Sequence, residues 1–291
     1  MATLQDVSRT LIPRGARNWL RAPSVSARWA WDEFKFNLGV RKVIEMRPGW
    51  WLTCHPAAYR CAYVAQVSDP EQVAEFEAFI RHTSPGMVLF DVGAHFGLFS
   101  LAALHYGGPS ARAIAVDPSP VAIRFQGIQA ALNNAERLQS IQASADDHSG
   151  CRNMLAVGVL ANGYYVSAPQ SYPANELSKT TAVTLDEMVD KVGVRPTHIK
   201  IDVEGHEAAV LRGGRKTLSQ DPAPLLFLEL HNEMISAQGG QPEETLALLK
   251  EYGYLTFDSE DVLVGDTEIS AKPLVRIVAR RLATYTKAAS R

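Results

Sequence analysis

The stretch from Met87 to Ser100, MVLFDVGAHFGLFS, places an apolar run directly before a glycine turn and an apolar helix. It predicts a buried strand over Met87 to Val92 with Asp91 at its end. Gly93 and Gly97 then bracket a tight turn, where a residue without a Cβ can adopt positive φ and its N–H can approach a ligand closely. A helix N-terminus offers unpaired donors beside the carboxylate acceptor. The stretch therefore suits a small ligand that carries both an ammonium and a carboxylate group.

Strand and helix patterns alternate along the rest of the chain. Apolar runs predict further strands at 113–116, 138–143, 198–203, 225–230, 254–258 and 273–280, with helices between most of them, such as 70–82 and 121–134. This alternation predicts an α/β fold with a doubly wound, mostly parallel, Rossmann-like sheet of seven strands. We assign it to a domain at 69–291, with a hairpin insertion around 151–182 where helical periodicity is absent.

Residues 1–68 are predicted to form an N-terminal appendage of helix and short strands. Up to residue 42 this segment has eight basic residues against three acidic ones, and it contains Trp19, Trp29 and Trp31. A basic arm with tryptophans can lie on a membrane surface or dock on a second subunit to form a homo-oligomer. The interpretation we favour is packing on the chain's own domain.

The composition favours a soluble globular protein. The sequence is 46% hydrophobic and 21% charged, and its net charge of −2 gives no argument for binding nucleic acid. The three cysteines fit no close metal-binding spacing, which favours free thiols in a reducing compartment. No apolar run approaches the roughly 18 residues that a membrane helix needs, and no signal peptide is recognisable. We therefore expect a cytoplasmic protein without a transmembrane segment.

Acidic residues recur where the predicted core strands end. In such sheets ligands bind beyond the carboxyl ends of the strands, at the point where the strand order reverses. The residues at those ends are Asp91, Asp117, Ser144, Asp202 and Glu229, and four of these five are acidic. Any one of these acidic residues could be the N-cap of a helix. Buried carboxylates need partners, however, and their recurrence at successive strand ends favours a ligand site.

The position of Asp117 indicates a nucleoside. An acidic residue at the end of the second strand can accept hydrogen bonds from both hydroxyls of a ribose. The dinucleotide pattern GxGxxG would require glycines where His95 and Leu98 stand, so recognition of a pyrophosphate is disfavoured. The residues thus favour a nucleoside without phosphates.

The chain resembles the FkbM family of S-adenosylmethionine-dependent methyltransferases. The resemblance covers about residues 70–280 and is carried by DVGAHFG (91–97), VDPSP (116–120), TLDEM (184–188), IKIDVEGHEAAVLRGG (199–214) and LELH (228–231). It implies a class I methyltransferase fold with S-adenosylmethionine as methyl donor. The acceptor it implies is usually a hydroxyl on a sugar, lipid or secondary metabolite.

The resemblance also implies roles for residues at matching positions. The methionine part of the donor would face Asp91, Gly93 and Gly97, the ribose would face Asp117, and Asp202 would lie near the sulfonium. The adenine would lie beside Ser144 and Asp146. His95 stands where the family often has Asn and is kept among the candidate donor-binding residues, and Asp117 replaces a more frequent Glu.

Methyl transfer to an alcohol needs a base, or a metal that lowers the pKa of the hydroxyl. His206 and His231 follow the fourth and fifth core strands, and histidine titrates near neutral pH, so both are candidate bases. The alternative for each is a structural histidine. Glu204 could orient an imidazole or bind a cation together with Asp202, and carboxylate ligands would favour Mg²⁺ over zinc. We assign no metal ligands from the sequence.

Two other functions remain open at this point. An NAD-linked oxidoreductase would share the fold, but the chain lacks GxGxxG. A catalytically idle S-adenosylmethionine-binding scaffold would share both the fold and the donor site. Binding of S-adenosylmethionine but not of NAD would distinguish a methyltransferase from an NAD-linked oxidoreductase. Transfer of a methyl group would distinguish it from an idle scaffold.

Overall fold

The computed structural model describes residues 23–156, 163–165 and 177–281. Within residues 23–87 seven elements precede the main sheet: α1 (Pro23–Asn37), β1 (Lys42–Arg47), β2 (Trp50–Cys54), α2 (Pro56–Ala58), a π-helical turn (Tyr59–Tyr63), α3 (Ala65–Ser68) and α4 (Pro70–Arg81). The aromatic and β-forming residues at 47–67 predict short strands there; β2 lies in this range, β1 begins before it, and helical turns follow β2. Tyr59 and Tyr63 favour strands locally, but here they lie in a π-helical turn in which Tyr63 is fully buried.

The main sheet has seven strands in the order β12-β13-β11-β10-β3-β4-β5. They are β3 (Val88–Val92), β4 (Arg112–Asp117), β5 (Leu138–Gln142), β10 (His198–Ile201), β11 (Leu225–Leu230), β12 (Leu255–Phe257) and β13 (Val275–Arg280). Only β13 runs antiparallel, and it pairs with β11 and β12. The predicted strand count and the mostly parallel arrangement are therefore confirmed.

The strand order reverses between β3 and β10. From β3 the chain moves outward through β4 and β5, and it returns on the other side of β3 with β10. The helices along this path are α5 (Leu98–Tyr106), α6 (Pro120–Leu132), α7 (Leu185–Val192), α8 (Glu207–Gly213), α9 (Arg215–Ser219), α10 (Asn232–Ala237), α11 (Pro242–Glu251) and α12 (Asp266–Ser270). The sequence after Gly205 predicts one helix to about Leu218, but the structure has two, α8 and α9, which meet at Gly214, where a Cβ would lie 2.6 Å from Leu185.

The insertion forms a separate sheet of four strands in the order β6-β9-β7-β8. These strands are β6 (Ser144–Ala145), β7 (Gly150–Ala156), β8 (Gly163–Tyr165) and β9 (Leu177–Val183). Strand β7 pairs antiparallel with both β8 and β9. Residues 157–162 and 166–176 of the predicted insertion lie outside the described part of the chain.

Apolar side chains are buried on both faces of the main sheet. On one face Phe76, Phe79 and Phe125 pack with Trp50 and other residues of the appendage. Trp29 of α1 contacts Phe125 with ring centroids 5.3 Å apart, so the described part of the basic arm packs on its own chain. On the other face α7, α8 and α11 cover the sheet. Within the described residues, no helix combines the length and apolar character needed to span a bilayer.

Candidate functional site

The glycine turn after β3 lies against the end of β10. Gly93 has φ of +83°, and a Cβ built on it would stand 1.7 Å from the carbonyl oxygen of Asp202. Its own N–H donates to the carbonyl of Val116 at 2.9 Å. A residue with a side chain would therefore force the two strand ends apart. Gly97 also has positive φ (+77°) and begins α5 as its N-cap.

Gly93→Ala should destabilise the protein by about 3 kcal/mol or more, since it adds an overpacked contact to a strained φ. Denaturant unfolding measures the change. Gly127→Ala is the matched control, because Gly127 lies in α6 with nothing within 4 Å of its Cβ position. That control should be neutral or stabilising. Equal stability of Gly93→Ala and wild type would contradict the close contact.

Asp91 lies beneath the turn and is 2% exposed. Its Oδ2 accepts hydrogen bonds from the Ser100 amide at 3.1 Å and from the Ser100 hydroxyl at 2.7 Å. Burial raises the pKa of Asp91 to about 6, although the Ser100 hydrogen bonds and Lys200 oppose this shift. The carboxylate is thus held in place, and a cationic ligand group beside it would favour its ionised form.

Asp117 ends β4 and is 6% exposed. Its two oxygens accept hydrogen bonds from the amides of Ser119 at 2.8 Å and His95 at 3.0 Å. Burial raises the pKa of Asp117 to about 7, against the effect of these two donors. The His95 ring stacks on Phe96, with centroids 3.9 Å apart, and burial lowers its pKa to about 4. His95 is therefore neutral at pH 7 and contacts Asp117 through its backbone.

A cavity of about 210 Å³ opens beside this turn. Four of the predicted site residues line it, namely Asp91, Gly93, His95 and Asp202. Its other walls come from Tyr63 and Gln66 in the appendage, from α4 and from β13. The carboxyl ends of β3 and β10 and the appendage thus enclose one polar site, as expected at the point where the strand order reverses.

Lys200 neutralises the carboxylates around this cavity. It lies in β10 with 1% exposure, and its Nζ is 2.9 Å from Glu75, 3.6 Å from Glu229 and 3.8 Å from Asp202. Arg276 of β13 contacts the same two glutamates, at 3.0 and 2.6 Å. Neither Lys200 nor Arg276 was predicted from the sequence as part of the site. The lysine inside the otherwise mostly apolar run IKIDV could have indicated Lys200, but only the tertiary fold brings Glu75 and Glu229 beside it, together with Arg276.

Ser144 and Asp146 lie in a different part of the rim, in and just after β6. Both are buried, and Asp146 forms ion pairs with Arg152 and, at 3.2 Å, with Nε2 of His206. Burial opposes ionisation of Asp146, but His206 and Arg152 outweigh it and lower the pKa. Asp146 and His206 line a second cavity of about 270 Å³. His206 therefore lies beside the residues predicted to face the adenine.

His231 follows β11 and lies among carboxylates. Its Nδ1 is 3.1 Å from Oε1 of Glu207, and its Nε2 is 3.5 Å from Glu204 and 3.8 Å from Asp202. Burial disfavours the charged imidazole, but the Glu207 hydrogen bond and the surrounding carboxylates outweigh it and raise the pKa to about 9. His231 thus carries a proton at neutral pH. Burial also raises the pKa of Glu204, against the effect of His231.

The sheet order, the single antiparallel strand and the glycine turn at the reversal point define the chain as a class I methyltransferase fold. The sequence matches the family described as the methyltransferase FkbM domain over residues 91–256. The chain belongs to this FkbM methyltransferase family, which confirms the resemblance and decides against an NAD-linked oxidoreductase.

Similar proteins include the 31-O-demethyl-FK506 methyltransferase FkbM of Streptomyces tacrolimicus. It is 27% identical over 237 residues, which cover 70% of this chain and 86% of that protein. Among solved structures, the FkbM methyltransferase of Methylobacillus flagellatus KT is 15% identical with a TM-score of 0.42, over 68% of this chain and 43% of the other. The ribosomal protein L11 methylase of Lactobacillus delbrueckii subsp. bulgaricus is 11% identical with a TM-score of 0.46, over 82% and 98%.

Proposed function

We propose that this methyltransferase transfers a methyl group from S-adenosylmethionine to a hydroxyl oxygen of a small molecule, glycan or lipid. The observation that carries the proposal is the rim formed by Asp91, the Gly93 turn and Asp117, with Asp202 facing the same cavity. The hydrogen-bond acceptors and donors of this rim match those of a ligand in which an amino acid group is joined to a nucleoside. The curated relative supports an oxygen acceptor, because its name gives an O-demethyl compound as substrate.

Each part of the donor has a proposed partner. We assign the methionine part to Asp91, Gly93, His95 and Gly97, the ribose to Asp117, and the adenine to Ser144 and Asp146. Asp202 lies on the cavity side of the Gly93 turn, which suits a position near the sulfonium. The donor supplies an activated methyl group, and the protein holds the acceptor oxygen in line with it.

The acceptor hydroxyl is proposed to meet the cluster of Asp202, Glu204 and His231. These side chains are 34%, 27% and 12% exposed, so an acceptor can reach them from solvent. His206 was the other candidate base. Since it contacts Asp146, we propose that it positions the adenine-side carboxylate, and that His231, which is protonated at neutral pH, holds the acceptor as part of this cluster and is not itself a free base.

The raised pKa values of Asp91 and Asp117 give the binding a pH dependence. Both carboxyls bind the donor in their ionised form, and below their pKa values of about 6 and about 7 they are protonated. The affinity for S-adenosylhomocysteine should therefore rise about a hundredfold between pH 5.5 and pH 7.5 and then level off. Calorimetric titration at several pH values measures this. A flat profile in the wild type would contradict it, and Asp117→Asn should flatten the upper part.

Transfer of a radioactive methyl group from S-adenosylmethionine tests the function. We expect the protein to label a hydroxyl compound in an extract of its own cells, and mass spectrometry identifies the product. Asp91→Asn should reduce labelling, and the exposed Asp190→Asn is its matched control. Tight donor binding without labelling of any metabolite, glycan or lipid fraction would favour the idle scaffold instead.

A further inference from the structure

We propose that Asp202, Glu204 and His231 form a binding site for a divalent metal ion that holds the acceptor hydroxyl. This inference deepens the proposed function and rests on it for the role of the ion, although binding of the ion can be tested separately. The three side chains come from the end of β10, the turn that follows it and the end of β11. One ligand atom from each lies within 4.8 Å of the others.

The spacing of the ligand atoms leaves room for an ion. The two carboxylate oxygens stand 3.5 and 3.8 Å from Nε2 of His231, which is too far for strong hydrogen bonds. Ligand atoms bound at about 2.0–2.2 Å from one ion are about 2.8–3.6 Å apart at octahedral to tetrahedral angles. The two distances from His231 are within or slightly above this range, and the two carboxylate groups lie within 4.8 Å of each other, so side-chain adjustments would bring the three ligand atoms onto one ion.

Glu207 orients the histidine for this role. It is 0% exposed, and its Oε1 accepts hydrogen bonds from the Gly205 amide at 3.0 Å and pairs with Nδ1 of His231 at 3.1 Å. With Nδ1 bound to a buried carboxylate, Nε2 is the ring nitrogen that faces Asp202 and Glu204. A carboxylate behind a histidine is the usual support of a metal-binding imidazole.

The turn after β10 brings Glu204 to this position. Glu204 has φ of +56° and Gly205 has φ of +96°, so two consecutive residues adopt the left-handed region. A Glu in this conformation is uncommon, and such conformations often occur at functional sites. Here the turn directs the chain back so that the Glu204 carboxylate reaches His231, which is 27 positions later in the sequence.

A second group of candidate ligands, formed by Asp146, Asp147 and His148, is a poorer site. Arg152 contacts Asp146, and its guanidinium also lies 3.8 Å from Asp147. A fixed cation therefore already neutralises these acids. At the first group Lys200 lies 3.8 Å from Asp202 and closer to Glu75, and among the described residues no lysine or arginine forms an ion pair with Glu204.

The ligand set indicates which ions suit the site. Two carboxylates and one imidazole favour Mn²⁺, Fe²⁺ or Zn²⁺, whereas Mg²⁺ prefers oxygen ligands alone. The partly exposed carboxylates leave coordination positions for the acceptor oxygen. Bound to the ion, that hydroxyl would release its proton to solvent more easily, and its oxygen would take the methyl group from the sulfonium, leaving S-adenosylhomocysteine.

Titration of chelator-treated protein with MnCl₂, followed by electron paramagnetic resonance without any donor or acceptor, tests the site. We expect one bound Mn²⁺ and at least tenfold weaker binding in Glu204→Gln and Asp202→Asn. Glu207→Gln, which changes the support of His231 without removing a proposed ligand, should weaken binding tenfold or more. His148→Ala is the matched control from the second group and should bind like the wild type.

Several outcomes would overturn the proposal. They are no Mn²⁺ binding by folded wild-type protein at millimolar concentration, unchanged binding in folded Glu204→Gln, or loss of binding in His148→Ala. Methyl transfer at the full rate after removal of metal would refute the ion's role while leaving the proposed function intact. Mn²⁺ binding without any methyl transfer would refute the proposed function and leave the metal site intact.

Discussion

Asp117→Asn should weaken the binding of S-adenosylhomocysteine about tenfold to a hundredfold. The wild-type carboxylate accepts the Ser119 and His95 amides and, in our proposal, the two ribose hydroxyls. An asparagine has one acceptor oxygen, so its NH₂ group would face one of these donors. Hydrogen bonds to a charged group contribute about 1.5–3 kcal/mol, which corresponds to this range of affinities. Isothermal titration calorimetry at pH 8 measures the change.

The control for this substitution is Asp190→Asn. Asp190 lies on α7 with 64% of its side chain exposed and pairs with Lys216. The Asp190→Asn substitution removes the same charge at this exposed position and should leave the affinity within twofold of the wild type. If Asp117→Asn bound as tightly as this control while remaining folded, the assignment of the ribose to Asp117 would be wrong.

His231→Ala should lower the rate of methyl transfer at least a hundredfold while the affinity for S-adenosylhomocysteine stays within a few-fold. The reason is that His231 belongs to the cluster proposed to act on the acceptor and does not line the cavity beside the Gly93 turn. Loss of acid–base or metal assistance typically costs factors of this size. Single-turnover transfer of a labelled methyl group measures the rate once an acceptor is identified.

Two further variants make this result specific. His148→Ala removes an exposed histidine and should transfer at the wild-type rate. His206→Ala should mainly weaken donor binding, because His206 contacts Asp146 on the adenine side. Full activity in His231→Ala together with a large loss of rate in His206→Ala would reverse the roles we assign to the two histidines.

The sequence predicted the sheet well because its local signals agree with the tertiary structure. The apolar run of β3 lies where the pattern placed it, and the helix predicted at 70–82 corresponds to α4, which begins at Pro70 after its N-cap Asp69. Local preference failed at Tyr59 and Tyr63, which lie in a π-helical turn where Tyr63 is fully buried. It also missed α12, whose five residues are too few for a helical period.

The acidic rim was predictable from strand ends, since parallel strands bring their carboxyl ends to one edge. The carboxylate partners of the two candidate histidines could not be predicted in this way. Nothing in the spacing distinguishes His206 from His231, yet one contacts Asp146 and the other contacts Glu207. The glutamate partners of Lys200 come from α4 and β11, on either side of it in sequence, and only the tertiary fold brings them together.

Calorimetric titration of the wild-type protein with S-adenosylhomocysteine, with NAD as a parallel ligand, tests the central claim most directly. We expect one site that binds S-adenosylhomocysteine, no heat from NAD, and much weaker binding when Asp91 and Asp117 are both replaced by Asn. No detectable binding of S-adenosylhomocysteine by folded protein, or equal affinity in the double variant, would contradict the account.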